Sequence, residues 1–179
     1  MPRTLFISHG APSLAIDDIP ARDFLLELGK TMARPQRIVL ISAHNIQPQI
    51  SVGAATQWRE WHDFSGFAPE LYQMQYRPMG DAAFAQTLAQ QLATEHVTLS
   101  DDTRLDHGAW VPLSLLYPAA DVPIVTISLA QSMDNAAHWA LGRRLAALLT
   151  GDTLLICSGS ITHNLRDLLL QNHHRWKRG

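Results

Sequence analysis

A chain of 179 residues, 46% hydrophobic and 17% charged, holds enough apolar side chain for one well-cored domain, is too short for two ordinary ones, and is not composed like a disordered protein. A formal net charge of −2 excludes the electrostatic footprint of a nucleic-acid or acidic-lipid binder, and the basic run Arg175-Trp176-Lys177-Arg178 reads as a solvated terminus. No stretch approaches the roughly 18 apolar residues of a membrane span, no apolar leader follows Met1, and the single Cys157 cannot pair within the chain, so the expectation is a cytoplasmic protein without nucleic-acid or membrane partners.

Thr4-Leu5-Phe6-Ile7-Ser8 reads as a strand that delivers His9. Gly10-Ala11-Pro12-Ser13 is a turn. Phe24, Leu25 and Leu28 then recur at helical spacing over Ala21 to Thr31, and Arg34-Pro35 closes that helix, because the residue before proline avoids the α region. A second strand, Arg37 to Ala43, delivers His44, and Ile50 to Ala54 reads as a third, shorter one. Gln57 to Gly80 carries aromatics, prolines and glycines without a period, as expected of a long functional loop with helical turns. Asp81 is the expected cap of a helix from Ala82 to about Thr94, with Phe84, Leu88 and Leu92 on one stripe. Val97 to Leu99 reads as an edge strand, and Asp106 to Tyr117 as a turn that becomes a buried helix with Pro112 in its first turn. Pro123 to Leu129 reads as one central strand, Asp134 as the cap of a helix to about Leu149, and Thr153 to Cys157 as the last strand, before a helix from Thr162 or His163 onward. Strands alternate with helices, which predicts an α/β fold whose mainly parallel sheet is flanked by helices.

Nine histidines are many for this length. His9 and His44 lie 35 residues apart, each directly after a strand, an interval that suits one βαβ unit with neighbouring strands about 4.8 Å apart. Parallel strands would bring both rings to the same sheet edge, where open α/β sheets bind ligands. His163 follows a third strand in the same way. At a helix start the dipole disfavours imidazolium, which leaves two roles open for His163, metal ligand or proton acceptor. His107, in Asp106-His107-Gly108-Ala109-Trp110, is a catalytic candidate that Asp106 would orient, unless that carboxylate only caps the helix. His62, in the long loop, lines the pocket or packs beneath it, while His96, His138, His173 and His174 read as exposed. Imidazole with oxygen ligands suits zinc or non-haem iron, and one cysteine excludes a cysteine-based zinc site. Neither a Gly-x-Gly-x-x-Gly nor a Gly-x-Ser-x-Gly pattern is present, and Ser158-Gly159-Ser160 has no acid placed to complete a triad.

Several stretches taken in order carry a resemblance: Ser8-His9-Gly10-Ala11-Pro12, Ser42-Ala43-His44, His62-Asp63-Phe64-Ser65-Gly66-Phe67, Leu71-Tyr72, Asp106-His107-Gly108-Ala109-Trp110, Tyr117-Pro118, and Ser158-Gly159-Ser160 with His163-Asn164-Leu165. The ordered set resembles the class III extradiol ring-cleavage dioxygenases of the DOPA type, with their LigB-like catalytic subunit fold. The resemblance implies a non-haem iron(II) enzyme, sometimes holding zinc, that opens the ring of a catechol such as DOPA with dioxygen. It implies His9 and His44 as metal ligands, His163 as a further ligand or the nearby acid–base group, and His107 as a second histidine facing the substrate. His107 and His163 are then the candidates for moving the catechol protons, and His62, Phe64, Phe67 and Tyr72 would wall the ring and keep water out. The family pattern runs on past Gly179 to one more ligand, a histidine or glutamate. The resemblance therefore implies one domain, residues 1–179, missing its C-terminal part, with an uncovered sheet edge that favours self-association into a homo-oligomer. Two other readings stay open: a zinc-dependent hydrolase on the same histidines, and a shortened metal-binding relative that catalyses nothing.

Overall fold

A computed structural model describes residues 3–149 and 151–161. In chain order the regular elements are β1 (Arg3–Ser8), α1 (Pro20–Thr31), β2 (Arg37–Ser42), β3 (Ile46–Gln47), β4 (Ser51–Gly53) and β5 (Arg59–Glu60). There follow α2 (Ala82–Gln91), β6 (Thr98–Ser100), β7 (Arg104–Leu105), α3 (His107–Leu116), β8 (Ile124–Thr126), β9 (Leu129–Ala130), α4 (Asn135–Leu148) and β10 (Thr153–Gly159). Short 3-10 turns occupy Pro12–Ala15, Pro69–Gln73 and Ala93–Glu95.

The main sheet has four strands, all parallel, in the order β1-β10-β2-β8. β1 and β2 are joined through α1 as expected, yet they are not neighbours, because β10 inserts between them and pairs with both. Three parallel two-stranded ladders, β3 with β9, β4 with β6 and β5 with β7, extend the structure beyond the main sheet.

Side chains alternate across the sheet, so each strand feeds two cores. Ile38 and Leu40 of β2, with Leu154 and Ile156 of β10, join Leu25, Trp110, Leu113 and Leu116 from α1 and α3. Val39 and Leu155 point the other way, into a second core with Val52, Leu88, Val125, Leu141 and Leu145. Helices therefore cover both faces, the arrangement parallel sheets require. Asp81 caps α2 by accepting from the Phe84 amide at 3.0 Å, and its other oxygen accepts from Arg37 Nε at 3.0 Å, tying the start of β2 to α2. Asp134 caps α4 through the Ala137 amide at 2.8 Å. Among the described residues no helix is long and apolar enough to cross a membrane.

Three elements depart from the periodicity. The apolar run after Pro123 is two strands, since the buried Ser128 leaves the main sheet to accept from the Ser51 amide at 2.8 Å. The long loop contains β5 and a 3-10 turn, and Trp58 pins its start by donating from Nε1 to the Ile124 carbonyl at 2.9 Å. Pro112 sits inside α3, in its second turn.

α1 and α3 pack at Gly29, where a Cβ would lie 2.1 Å from the Leu116 carbonyl oxygen. A Gly29→Ala substitution must push the two helices apart. It is expected to cost about 1–3 kcal/mol, read as a lower urea midpoint at unchanged m.

Candidate metal centre

β1 and β2 end at the same edge of the sheet, and each hands over a histidine there. His9 follows β1, and its amide donates to the Gly159 carbonyl at 3.3 Å, so the chain keeps the sheet register one residue past the strand. The ring of His9 is buried and that of His44 is exposed. Their Nε2 atoms stand 3.0 Å apart. Two imidazole nitrogens bound at right angles to one ion, each about 2.1 Å from it, stand about 3.0 Å apart, so the donor pair fits a shared divalent metal.

The third ring at this point is His107, the first residue of α3. Its centroid lies 4.1 Å from that of His44 and 5.4 Å from that of His9, and donor atoms of all three rings fall within 4.8 Å of one another. Gly108 makes this approach possible, because a Cβ there would stand 2.6 Å from Ser42 Oγ and 3.0 Å from His44 Cδ2.

The carboxylate that orients His107 is Asp63, from the long loop, and not Asp106. Asp63 Oδ1 accepts both the backbone N–H of His107, at 2.9 Å, and its Nδ1, at 3.0 Å. It thus caps α3 from 44 residues away and leaves Nε2 as the ring's acceptor. Burial raises the Asp63 carboxyl, but the hydrogen bonds and charge of His107 outweigh it and hold the group below the ordinary carboxylate range. Asp106 makes no capping bond. It is buried and accepts instead from the Ser42 hydroxyl at 2.6 Å, and Ser42 Oγ in turn accepts from the His44 amide at 3.2 Å. Burial pushes the Asp106 carboxyl up; the Ser42 hydrogen bond opposes this, and the charge of Asp63 adds to it.

His62, Phe64, Phe67 and Tyr72 come together as one aromatic cluster beside the histidines. Phe64 lies 5.3 Å from both Phe67 and Tyr72 and 6.0 Å from His107, centroid to centroid, while His62 lies 5.7 Å from Phe64 and 5.7 Å from Trp110. Trp110 carries no role in the sequence reading, yet its Nε1 donates to the Trp61 carbonyl at 3.0 Å and anchors this wall to α3. His62 Nε2 is buried without a hydrogen-bond partner, so an incoming polar group has a site to meet there. On the other flank of His44 a cleft of about 230 Å³ opens between Trp58, Trp61, Arg104, Asp106 and Thr126.

His163 lies outside the described residues, as do His173 and His174. His96 is exposed as expected, whereas His138 is half-buried and structural: Nδ1 bonds the Asp134 carbonyl at 2.9 Å and Nε2 accepts from the Ala130 amide at 3.2 Å.

Comparison with known proteins gives the chain a family. The family described as the catalytic LigB subunit of aromatic ring-opening dioxygenase matches residues 3–178, and the chain belongs to that family. A protein of Escherichia coli K12 named 4,5-DOPA dioxygenase extradiol is 40% identical over 163 residues, which cover 90% of this chain and 60% of the relative. A protein of the same name from Beta vulgaris is 40% identical over 166 residues, 89% of this chain and 62% of the relative. A crystal structure of an uncharacterized E. coli K12 protein superposes with a TM-score of 0.73 at 34% identity, covering 91% of this chain and 62% of that one. The chain thus spans about three fifths of the length of these relatives.

Asp63→Ala strips two partly buried donors of their acceptor and is expected to cost about 2 kcal/mol in urea unfolding at neutral pH. Because the folded carboxyl titrates below its unfolded value of about 3.9, this contribution is complete above that pH. It disappears as pH falls through the folded value, where wild type and variant converge.

Proposed function

We propose that the chain is an extradiol ring-opening dioxygenase domain acting on a catechol of the DOPA type, with His9 and His44 as the metal pair. The 3.0 Å separation of their Nε2 atoms carries the reading. A histidine pair with open positions for oxygen donors suits non-haem iron(II), with zinc as the substitute. When bound, such a metal brings the aromatic diol and dioxygen together and passes electrons between them.

The chain's own residues do the rest. His107, its Nδ1–H held by an ionised Asp63, offers Nε2 as acceptor for a catechol hydroxyl proton and later returns one. His163 is the further ligand or acid–base group. Phe64, Phe67 and Tyr72 stack on a flat apolar ring and exclude water, and His62 Nε2 supplies a polar contact within that wall. The names of the E. coli and Beta vulgaris relatives support the substrate class. A lone, partly buried thiol at Cys157 fits a cytoplasmic setting.

Anaerobic loading with iron(II), then addition of oxygen and DOPA, is expected to yield a yellow ring-opened product. Turnover with zinc alone and without oxygen would replace this reading with a hydrolase, and tight metal uptake without any turnover would favour a non-catalytic binder. His9→Ala and His44→Ala should each lower metal affinity by more than the roughly 10–100-fold that loss of an outer hydrogen-bond partner costs. His107→Ala should retain metal and slow ring opening about 10²–10⁴-fold. Loss of metal from that variant would make His107 a ligand instead.

A further inference from the structure

The geometry points to a hydrogen-bond relay in which Pro112, inside α3, frees the Gly108 carbonyl to accept from the Ser158 hydroxyl, and Ser158 thereby holds His9 as its Nδ1–H tautomer. Pro112 stands four residues after Gly108 and has no amide N–H, so the helical bond that would occupy the Gly108 carbonyl cannot form. β10 runs between β1 and β2 and sets Ser158 opposite Ile7 on one side and Ser42 on the other, beneath the same carbonyl. Ser158 Oγ lies 2.5 Å from Gly108 O and 2.8 Å from His9 Nδ1.

A hydroxyl has one proton. A carbonyl oxygen only accepts, so the 2.5 Å contact needs that proton between the two oxygens, or it would set lone pair against lone pair. Ser158 Oγ is then an acceptor toward His9, and Nδ1 must carry the hydrogen. In the neutral ring the lone pair is left on Nε2, the atom that faces His44. Ser158 is 3% exposed and His9 4%, so solvent cannot take over either bond. Ser158 and Pro112 are positioning residues: neither touches the shared point, but together they decide which nitrogen of His9 is a donor to it. The purpose of the relay rests on the proposed metal site, whereas its hydrogen bonds do not.

Two measurements on the metal-free chain and one with zinc(II) test it. Ring nitrogen NMR of wild type is expected to show His9 protonated at Nδ1, and an Nε2–H form would overturn the relay outright. Ser158→Ala should mix the two tautomers and weaken zinc(II) affinity about 10–100-fold. Pro112→Ala returns an amide to compete for the Gly108 carbonyl while leaving every site side chain in place. It should shift His9 in the same direction and weaken zinc(II) by a smaller factor, with the thermal midpoint not lowered. An Nδ1–H signature that survives Ser158→Ala overturns the role of Ser158, and Pro112→Ala indistinguishable from wild type in both readouts overturns the role of the proline. Wild-type chain that shows the Nδ1–H ring but no zinc(II) uptake sensitive to His9→Ala would sink the metal reading and leave the tautomer standing.

Discussion

Asp63 Oδ1 takes both the backbone N–H and the ring N–H of His107, and on that fork the geometry of the site depends. One oxygen closes the open N-terminus of α3 and aims the first side chain of that helix at the strand ends. From Gly108 onward the helix is apolar and buried apart from the half-buried Ser114, so its depth is set by packing while its end is set by this charge-assisted bond. With the end fixed, Gly108 lies against Ser42 and His44, and its carbonyl reaches Ser158.

α3 is thus the element through which the histidines communicate. It supplies His107 directly, and through the Gly108 carbonyl it touches Ser158 and so His9. Its neighbour Asp106 holds Ser42, whose oxygen accepts from the His44 amide. Three polar side chains from three segments, Asp63, Ser158 and Ser42, each make one bond toward a site histidine and one elsewhere or twice to the same residue. Such paired groups cost little once satisfied; Asp63 and Ser158 fix the ring orientations of His107 and His9, while Ser42 holds the backbone of the exposed His44. The aromatic cluster leans on the same helix through Trp110, so the wall and His107 share one support.

Much of this was legible along the chain. His9 and His44 each follow a run of β-branched and apolar residues, and that local pattern alone placed them at strand ends. The caps Asp81 and Asp134 were legible for the same reason, since capping acts over three residues. His62, Phe64, Phe67 and Tyr72, all in one loop, were gathered by the family resemblance, and the structure brings them into one cluster. Asp63 was not legible as the partner of His107, because Asp106 is adjacent in sequence and offered a nearer carboxylate. Local hydrogen-bond reasoning prefers the neighbour, and packing chose otherwise: Asp106 is turned into the protein toward Ser42. The position of Pro112 misled in a similar way, since proline favours a first turn unless the carbonyl it orphans finds another donor, and Ser158 is that donor.

The amino-acid order by itself determined the strands β1, β2 and β10, the helices α1 to α4 to within a turn, and that His9 and His44 stand at strand ends, because periodicity and capping are interactions between residues a few positions apart. Only the tertiary structure decided that β10 separates β1 from β2, that Asp63 rather than Asp106 holds His107, and that Ser158 holds His9. Those choices depend on contacts between residues 44 to 151 positions apart, where the competition among buried partners is settled by packing and leaves no local signature.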